Sequence, residues 1–213
     1  MKSLQKIGGI AALTQGILFI VFPVFLFAIL PSQGLEATTG PNVLADPAKV
    51  LPVAAKSPIV SIFSLLDVPV AVCLLLITLA LHERLQSDSP MMIRIATGSG
   101  LVGTVLFLAV GMGRFASVSQ LSALYLQDQT SVATAYLAAG TVVEGLNNAA
   151  VFAYGWWVLL ASWASLKTGR LPKLLCYLGL LLGLTGIITF LFPVPPMLGI
   201  IWFLWLGAVL LRN

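Results

Sequence analysis

Apolar runs long enough to cross a bilayer recur along the whole chain, and they constrain its fold more than any motif does. The first, residues 7–30, contains no charged side chain. Others cover about 59–81, 91–114, 138–166, 171–192 and 197–211. A helix rises about 1.5 Å per residue, so roughly twenty apolar residues cross a hydrocarbon core about 30 Å thick. Hydrophobic residues make up 59% of the sequence and charged residues only 8%, which excludes a soluble globular domain. The expected fold is all-α: one polytopic integral membrane bundle of six transmembrane helices, forming a single domain over residues 1–213. The first run is too long for the roughly 7–15-residue core of a signal peptide and lacks a small-x-small cleavage site, so it is expected to be the first span.

Between the runs lie segments with loop chemistry. Pro31–Pro58 forms the longest polar stretch, with Asp46-Pro47 suited to starting a short interfacial helix. His82–Pro90 is a short connection, and residues 115–137 are amphipathic, which suggests an extension lying at the outer interface. Lys167-Thr168-Gly169-Arg170-Leu171-Pro172-Lys173 has the Gly and Pro of a helix stop and restart, and Pro193, Pro195 and Pro196 imply a hairpin into the last run. Leu13-Thr14 with Phe22-Pro23-Val24 is faintly echoed by Leu184-Thr185 with Phe192-Pro193-Val194, a weak sign of an internal repeat.

The net charge of +4 is spread over helix ends rather than clustered, so it points to membrane orientation and not to nucleic acid. Six spans place Lys2, Lys6, Arg84, Arg94, Lys167, Arg170, Lys173 and Arg212 on one side and Lys49, Lys56 and Arg114 on the other. Under the positive-inside rule both termini are cytoplasmic. Cys73 and Cys176 sit in apolar runs at different depths and are expected to be buried thiols. In the third run, Ala96, Gly100 and Thr104 recur at helical spacing and should let neighbouring helices approach closely.

Polar side chains inside the runs mark where any chemistry lies. Asp67, Arg114, Glu144, Asn147 and Asn148 are costly in lipid unless they face other helices or a wet cavity. Glu144 and Asn148 lie one helical turn apart, and the stripe continues through Val151, Gly155 and Ser162, which should face the bundle. A quarter turn away, Phe152, Trp156 and Trp163 form a candidate apolar surface for a quinone, carotenoid or lipid tail, with Trp157 on the lipid side. Counting from the basic ends, Arg114 lies about 30 Å and Glu144 about 34 Å up their helices, whereas Asp67 lies about 22 Å up. Arg114 and Glu144 are therefore expected to pair, with Asp67 deeper and near the two amides. The cluster is either structural, with mutual neutralisation, or a vestibule in which Asp67 takes up a proton or cation.

Enzymatic signatures are missing from the sequence. His82 is the one histidine, which leaves no histidine pair for haem and no histidine-rich metal site. Nor does a phosphate-binding Gly-rich loop followed by Lys and Ser or Thr occur.

Asp46-Pro47, Leu66-Asp67-Val68, and the stretch from Tyr154-Gly155 through Gly169-Arg170-Leu171-Pro172-Lys173 into a Gly-rich helix together resemble a family of uncharacterised bacterial six-transmembrane-helix proteins, catalogued as a domain of unknown function. Cys176 departs from the small residue expected there. The resemblance implies a multi-pass protein of the bacterial inner membrane and carries no activity. Two expectations follow: a non-catalytic accessory or scaffold subunit that binds partner helices, lipids or apolar cofactors, or a small secondary transporter coupled through Asp67. Membrane lipid and partner membrane subunits are the expected partners.

Overall fold

A computed structural model describes residues 2–35, 46–188 and 197–212, and those residues are helical apart from short connections. Helix α1 (Lys2–Val24), a π-helical turn (Phe25–Ile29) and α2 (Leu30–Ser32) form one rod. The wide turn lies between Pro23 and Pro31, where the missing N–H groups weaken the ordinary ladder. Asp46 starts α3 (Pro47–Lys56) by accepting a hydrogen bond from the Ala48 N–H at 3.0 Å, as its position before Pro47 suggests. Then come α4 (Ile59–Ser64), α5 (Asp67–Leu85), α6 (Pro90–Leu124), α7 (Gln129–Thr168), α8 (Lys173–Ile187) and α9 (Met197–Arg212).

Four segments are long and apolar enough to cross a membrane: Ser3–Ser32, Ile59–Leu85, Pro90–Leu124 and Gln129–Thr168. Helices α8 and α9 are apolar but shorter, at 15 and 16 residues. Several expected boundaries change. The run expected over 59–81 is two helices, α4 and α5, divided at Leu65 and Leu66. Pro69 has no N–H for the Leu65 carbonyl, which accepts from Val68 at 2.9 Å instead and tightens the turn. Residues 115–137 are an extension, as expected, but a helical one that belongs to both neighbouring runs. They complete α6 and begin α7, so the runs expected over 91–114 and 138–166 are parts of helices of 35 and 40 residues. At about 52 and 60 Å these are longer than a hydrocarbon core about 30 Å thick, and the polar hairpin that joins them is centred on Gln127 and Asp128. The expected hairpin at Pro193, Pro195 and Pro196, the end of the 171–192 run and the echo at Phe192-Pro193-Val194 lie outside the described residues.

Each rod packs on its neighbour in sequence and α9 returns to α1, so the order α1, α5, α6, α7, α8, α9 closes a ring. Small residues set the spacing. A Cβ on Gly155 of α7 would lie 2.7 Å from the Ile187 nitrogen and 2.8 Å from the Gly186 carbonyl carbon, so these backbones touch directly. Ala96, Gly100 and Thr104 are buried, and Gly100 faces both Thr78 and Trp157. Toward the basic end, Trp157, Trp202 and Phe203 are fully buried, with Trp157 edge-on to Trp202 at a 6.0 Å centroid distance. At the other end Phe25 stacks on Phe63, and α3 covers a second core through Val50 and Leu51. Cys73 and Cys176 are free and buried.

Candidate functional site

Between these two cores lies a cavity of about 900 Å³. Its floor carries Gln15, Tyr154 and Phe203, its upper wall Val118 and Tyr136, and its flanks much of the polar cluster. Asp67, Arg114, Glu144, Asn147 and Asn148 all line it.

The helix break places Asp67 in the first turn of α5, inside an apolar span. Gly111 of α6 lets α5 approach, because a Cβ there would come within 3.1 Å of the Asp67 Cβ and 3.2 Å of the Val68 nitrogen. Arg114 lies one turn beyond Gly111, and its Nη1 donates to Asp67 Oδ2 at 2.7 Å. The closer of the two carboxylate contacts of Arg114 is thus with Asp67, and the expected contact with Glu144 is the longer one. Glu144 comes only within 4.0 Å of Arg114 Nη2, and its side chain is 45% exposed against 20% for Asp67. Asp67 sits deeper than Arg114 by helix count, and the guanidinium reaches it because Gly111 lets α5 and α6 approach closely. Among the described residues neither Asn147 nor Asn148 hydrogen-bonds to Asp67, and Asn148 is exposed.

The ionised cluster carries one more carboxylate than guanidinium, with Asp67 and Glu144 on either side of Arg114. Many nearby hydroxyls are spent on their own helices: Ser64 donates to the Val60 carbonyl, Ser117 to Gly113 and Thr141 to Leu137. Two polar groups on the floor remain open. Gln15 is 2% exposed and its Oε1 has no hydrogen-bond partner, and the buried Tyr154 hydroxyl has none either. A polar atom buried without a partner costs about 1–3 kcal/mol, so these two atoms beside the cavity carry an unmet hydrogen-bonding demand.

Gln15 was not singled out from the sequence, and Tyr154 was named only within the family resemblance, not as a site residue. Gln15 did carry a signal, as an amide in an otherwise apolar span; Tyr154 offered none, since a tyrosine in such a run reads equally well as an interfacial anchor. The aromatic stripe is rotated relative to expectation. Trp157 is 1% exposed and packs in the core, so it does not face lipid, while Phe152, Trp156 and Trp163 are 48%, 39% and 43% exposed on the outside. The face of α7 gripped by its neighbours runs through Val158, Ala161 and Ser165, and Trp157 falls beside it. The outward stripe thus lies on the outer surface of the bundle and lines none of the cavity, with Lys167 placed over Trp163 at 5.5 Å. His82 joins α5 to α6 through a 2.8 Å hydrogen bond between Nδ1 and the Thr97 hydroxyl. No group of three His, Cys, Asp or Glu side chains suited to a metal ion occurs among the described residues.

No family model, curated protein or solved structure matches this chain, so its function is argued from its own residues.

Proposed function

We propose that this protein is a non-catalytic multi-pass membrane protein that binds a small amphiphile in the central cavity and carries it, with Asp67 as the coupling carboxylate. Helices α8 and α9 complete six spans, both termini lie on the cytoplasmic side, and the membrane is the bacterial inner membrane. The observation that carries the proposal is the apolar cavity of about 900 Å³ with the Asp67–Arg114 pair at a helix break. Ligand pockets are typically about 300–1,000 Å³, mostly apolar, with a few convergent polar groups. Discontinuous helices inside membranes are a recurrent setting for coupled binding, because the freed backbone and the carboxylate can exchange partners with a ligand. The excess carboxylate favours a cationic or hydrogen-bond-donating head. Gln15 Oε1 and the Tyr154 hydroxyl would meet a second polar group about 15 Å along α7 from Glu144. A static accessory subunit would instead be expected to pack this volume with side chains.

The test is gentle-detergent purification followed by mass spectrometry of bound small molecules and associated proteins, for wild type and Asp67→Asn. Stoichiometric amphiphile on wild type, lost on the folded variant, together with Asp67-dependent transfer of that compound in proteoliposomes, is the expected result. An empty cavity and a stoichiometric partner subunit insensitive to Asp67→Asn would establish the accessory-subunit alternative.

A further inference from the structure

A second site lies at the opposite, basic end of the bundle and does not depend on the cavity. Helix α7 stops after Thr168, where Gly169 takes a left-handed φ of +67°, and the chain turns through Arg170, Leu171 and Pro172 into α8. The turn folds against the ends of α5 and α9 and leaves a pocket of about 410 Å³. Arg84, Arg170 and Arg212, from three different parts of the chain, line it.

The arrangement brings like charges together. Arg84 Nη2 donates to the Arg170 carbonyl at 2.9 Å, which holds the Arg84 head against the turn rather than out in solvent. Its Nη1 is buried without a hydrogen-bond partner. Arg170 is engaged through its Nε by Asp88, while Arg84 and Arg212 have no carboxylate partner among the described residues. Helix α8 begins at this turn, and its first N–H groups have no acceptor within the helix, which adds partial positive charge. Three guanidiniums, one with an unused donor, call for a compact anion with several acceptor oxygens. A phosphate meets that need, because guanidinium forks match its geometry.

Position selects the source. The apolar run of α5 ends at Leu81, just before Arg84, and that of α9 at Leu211, and Leu171 is buried beside the pocket. The arginines therefore stand where hydrocarbon gives way to headgroups. We propose that Arg84, Arg170 and Arg212, with the start of α8, bind the phosphate of an anionic phospholipid headgroup. A choline or ethanolamine headgroup would add a cation to an already cationic pocket, so the site discriminates against zwitterionic lipid.

Native mass spectrometry of the full chain, exchanged from detergent into equal mixtures of phosphatidylglycerol and phosphatidylcholine with matched acyl chains, tests the assignment. Wild type should retain phosphatidylglycerol in preference, and Arg84→Gln and Arg212→Gln should each lower that retention about tenfold. Arg212 is exposed in the last turn of α9, so Arg212→Gln keeps the test interpretable if Arg84→Gln fails to fold. Equal retention of both lipids by wild type, or an undiminished preference in the folded variant, would overturn the proposal. Inorganic phosphate is the second probe. If it stabilises wild type but not Arg212→Gln against heat while no lipid preference exists, the pocket serves a soluble phosphate and the lipid assignment is wrong. Asp67→Asn should leave the lipid preference intact, so this outcome and that of the cavity experiment are read separately.

Discussion

About 18 Å along α7 from Lys167, α7 and α8 meet backbone to backbone at Gly155 and Gly186, and Trp157, Trp202 and Phe203 fill the ring beside that contact. Further along the same helices the ring encloses a cavity of about 900 Å³, with an ion pair on its wall. Lipid tails are as apolar as leucine, so helices in a membrane are held by close packing and polar contacts rather than by hydrophobic burial. The packed half uses the first of these. The hollow half has given up dense packing, so its cohesion leans on Arg114–Asp67, on the Phe25–Phe63 stack and on the covering helix α3. A region built this way can exchange its internal contacts for those of a ligand, which the packed half cannot do without unfolding.

The largest effect that separates the halves should come from glycine. Gly155→Leu drives a side chain into the α8 backbone and should cost more than about 3 kcal/mol, seen as loss of the monodisperse peak in size exclusion after mild heating. Gly145→Leu, on the same helix where a Cβ meets nothing within 4 Å, should retain that peak. Equal damage from both would break the distinction between the two halves.

Adjacent tryptophans give the next contrast. Trp157→Ala should destabilise by about 3–5 kcal/mol in a detergent-denaturation titration. Trp156→Ala, on the outward face, should change the midpoint by less than about 1 kcal/mol, because lipid or detergent replaces what the ring leaves. A larger loss from Trp156 would mean that a protein surface covers it.

Within the hollow half, Arg114→Met strands the Asp67 carboxylate and should cost up to about 3–5 kcal/mol. The double variant Asp67→Asn/Arg114→Met should recover most of that loss, giving a coupling energy well above zero in a double-mutant cycle. Simple additivity would show that the pair contributes nothing to holding the cavity wall.

The smallest expected effect is a pH dependence at the surface. The hydrogen bond from Arg170 holds the Asp88 carboxyl below its usual range. A carboxyl depressed in the folded state adds stability above its unfolded pKa and loses it as pH falls through the lower folded value. Wild type should therefore lose stability below the ordinary carboxylate range more steeply than Asp88→Asn does. Parallel profiles would remove this bridge between α5 and the α7–α8 turn from the account.

Parts of both halves were legible from sequence. The row Ala96, Gly100 and Thr104 is buried as its spacing implied, the Asp46-Pro47 start of α3 is realised, and the five polar residues do line one cavity. Which carboxylate makes the closer contact with Arg114 was not legible, because it depends on how closely α5 and α6 approach at Gly111. The burial of Trp157 instead of Trp156 was hidden for a related reason: α7 is aromatic on two adjoining faces, and its own periodicity does not say which one a neighbour will cover.

By itself the sequence determined an all-helical chain with membrane-length apolar runs, polar residues that must face inward and cations at the helix ends, since transfer of charge and unpaired backbone into lipid is too costly to allow otherwise. Only the tertiary structure decided that α9 closes on α1, that Arg114 hydrogen-bonds Asp67 and holds Glu144 at a longer distance, and that Gln15 and Tyr154 are left with unmet polar atoms. Those outcomes depend on angstrom-scale approach between segments far apart in the chain, which local periodicity does not encode.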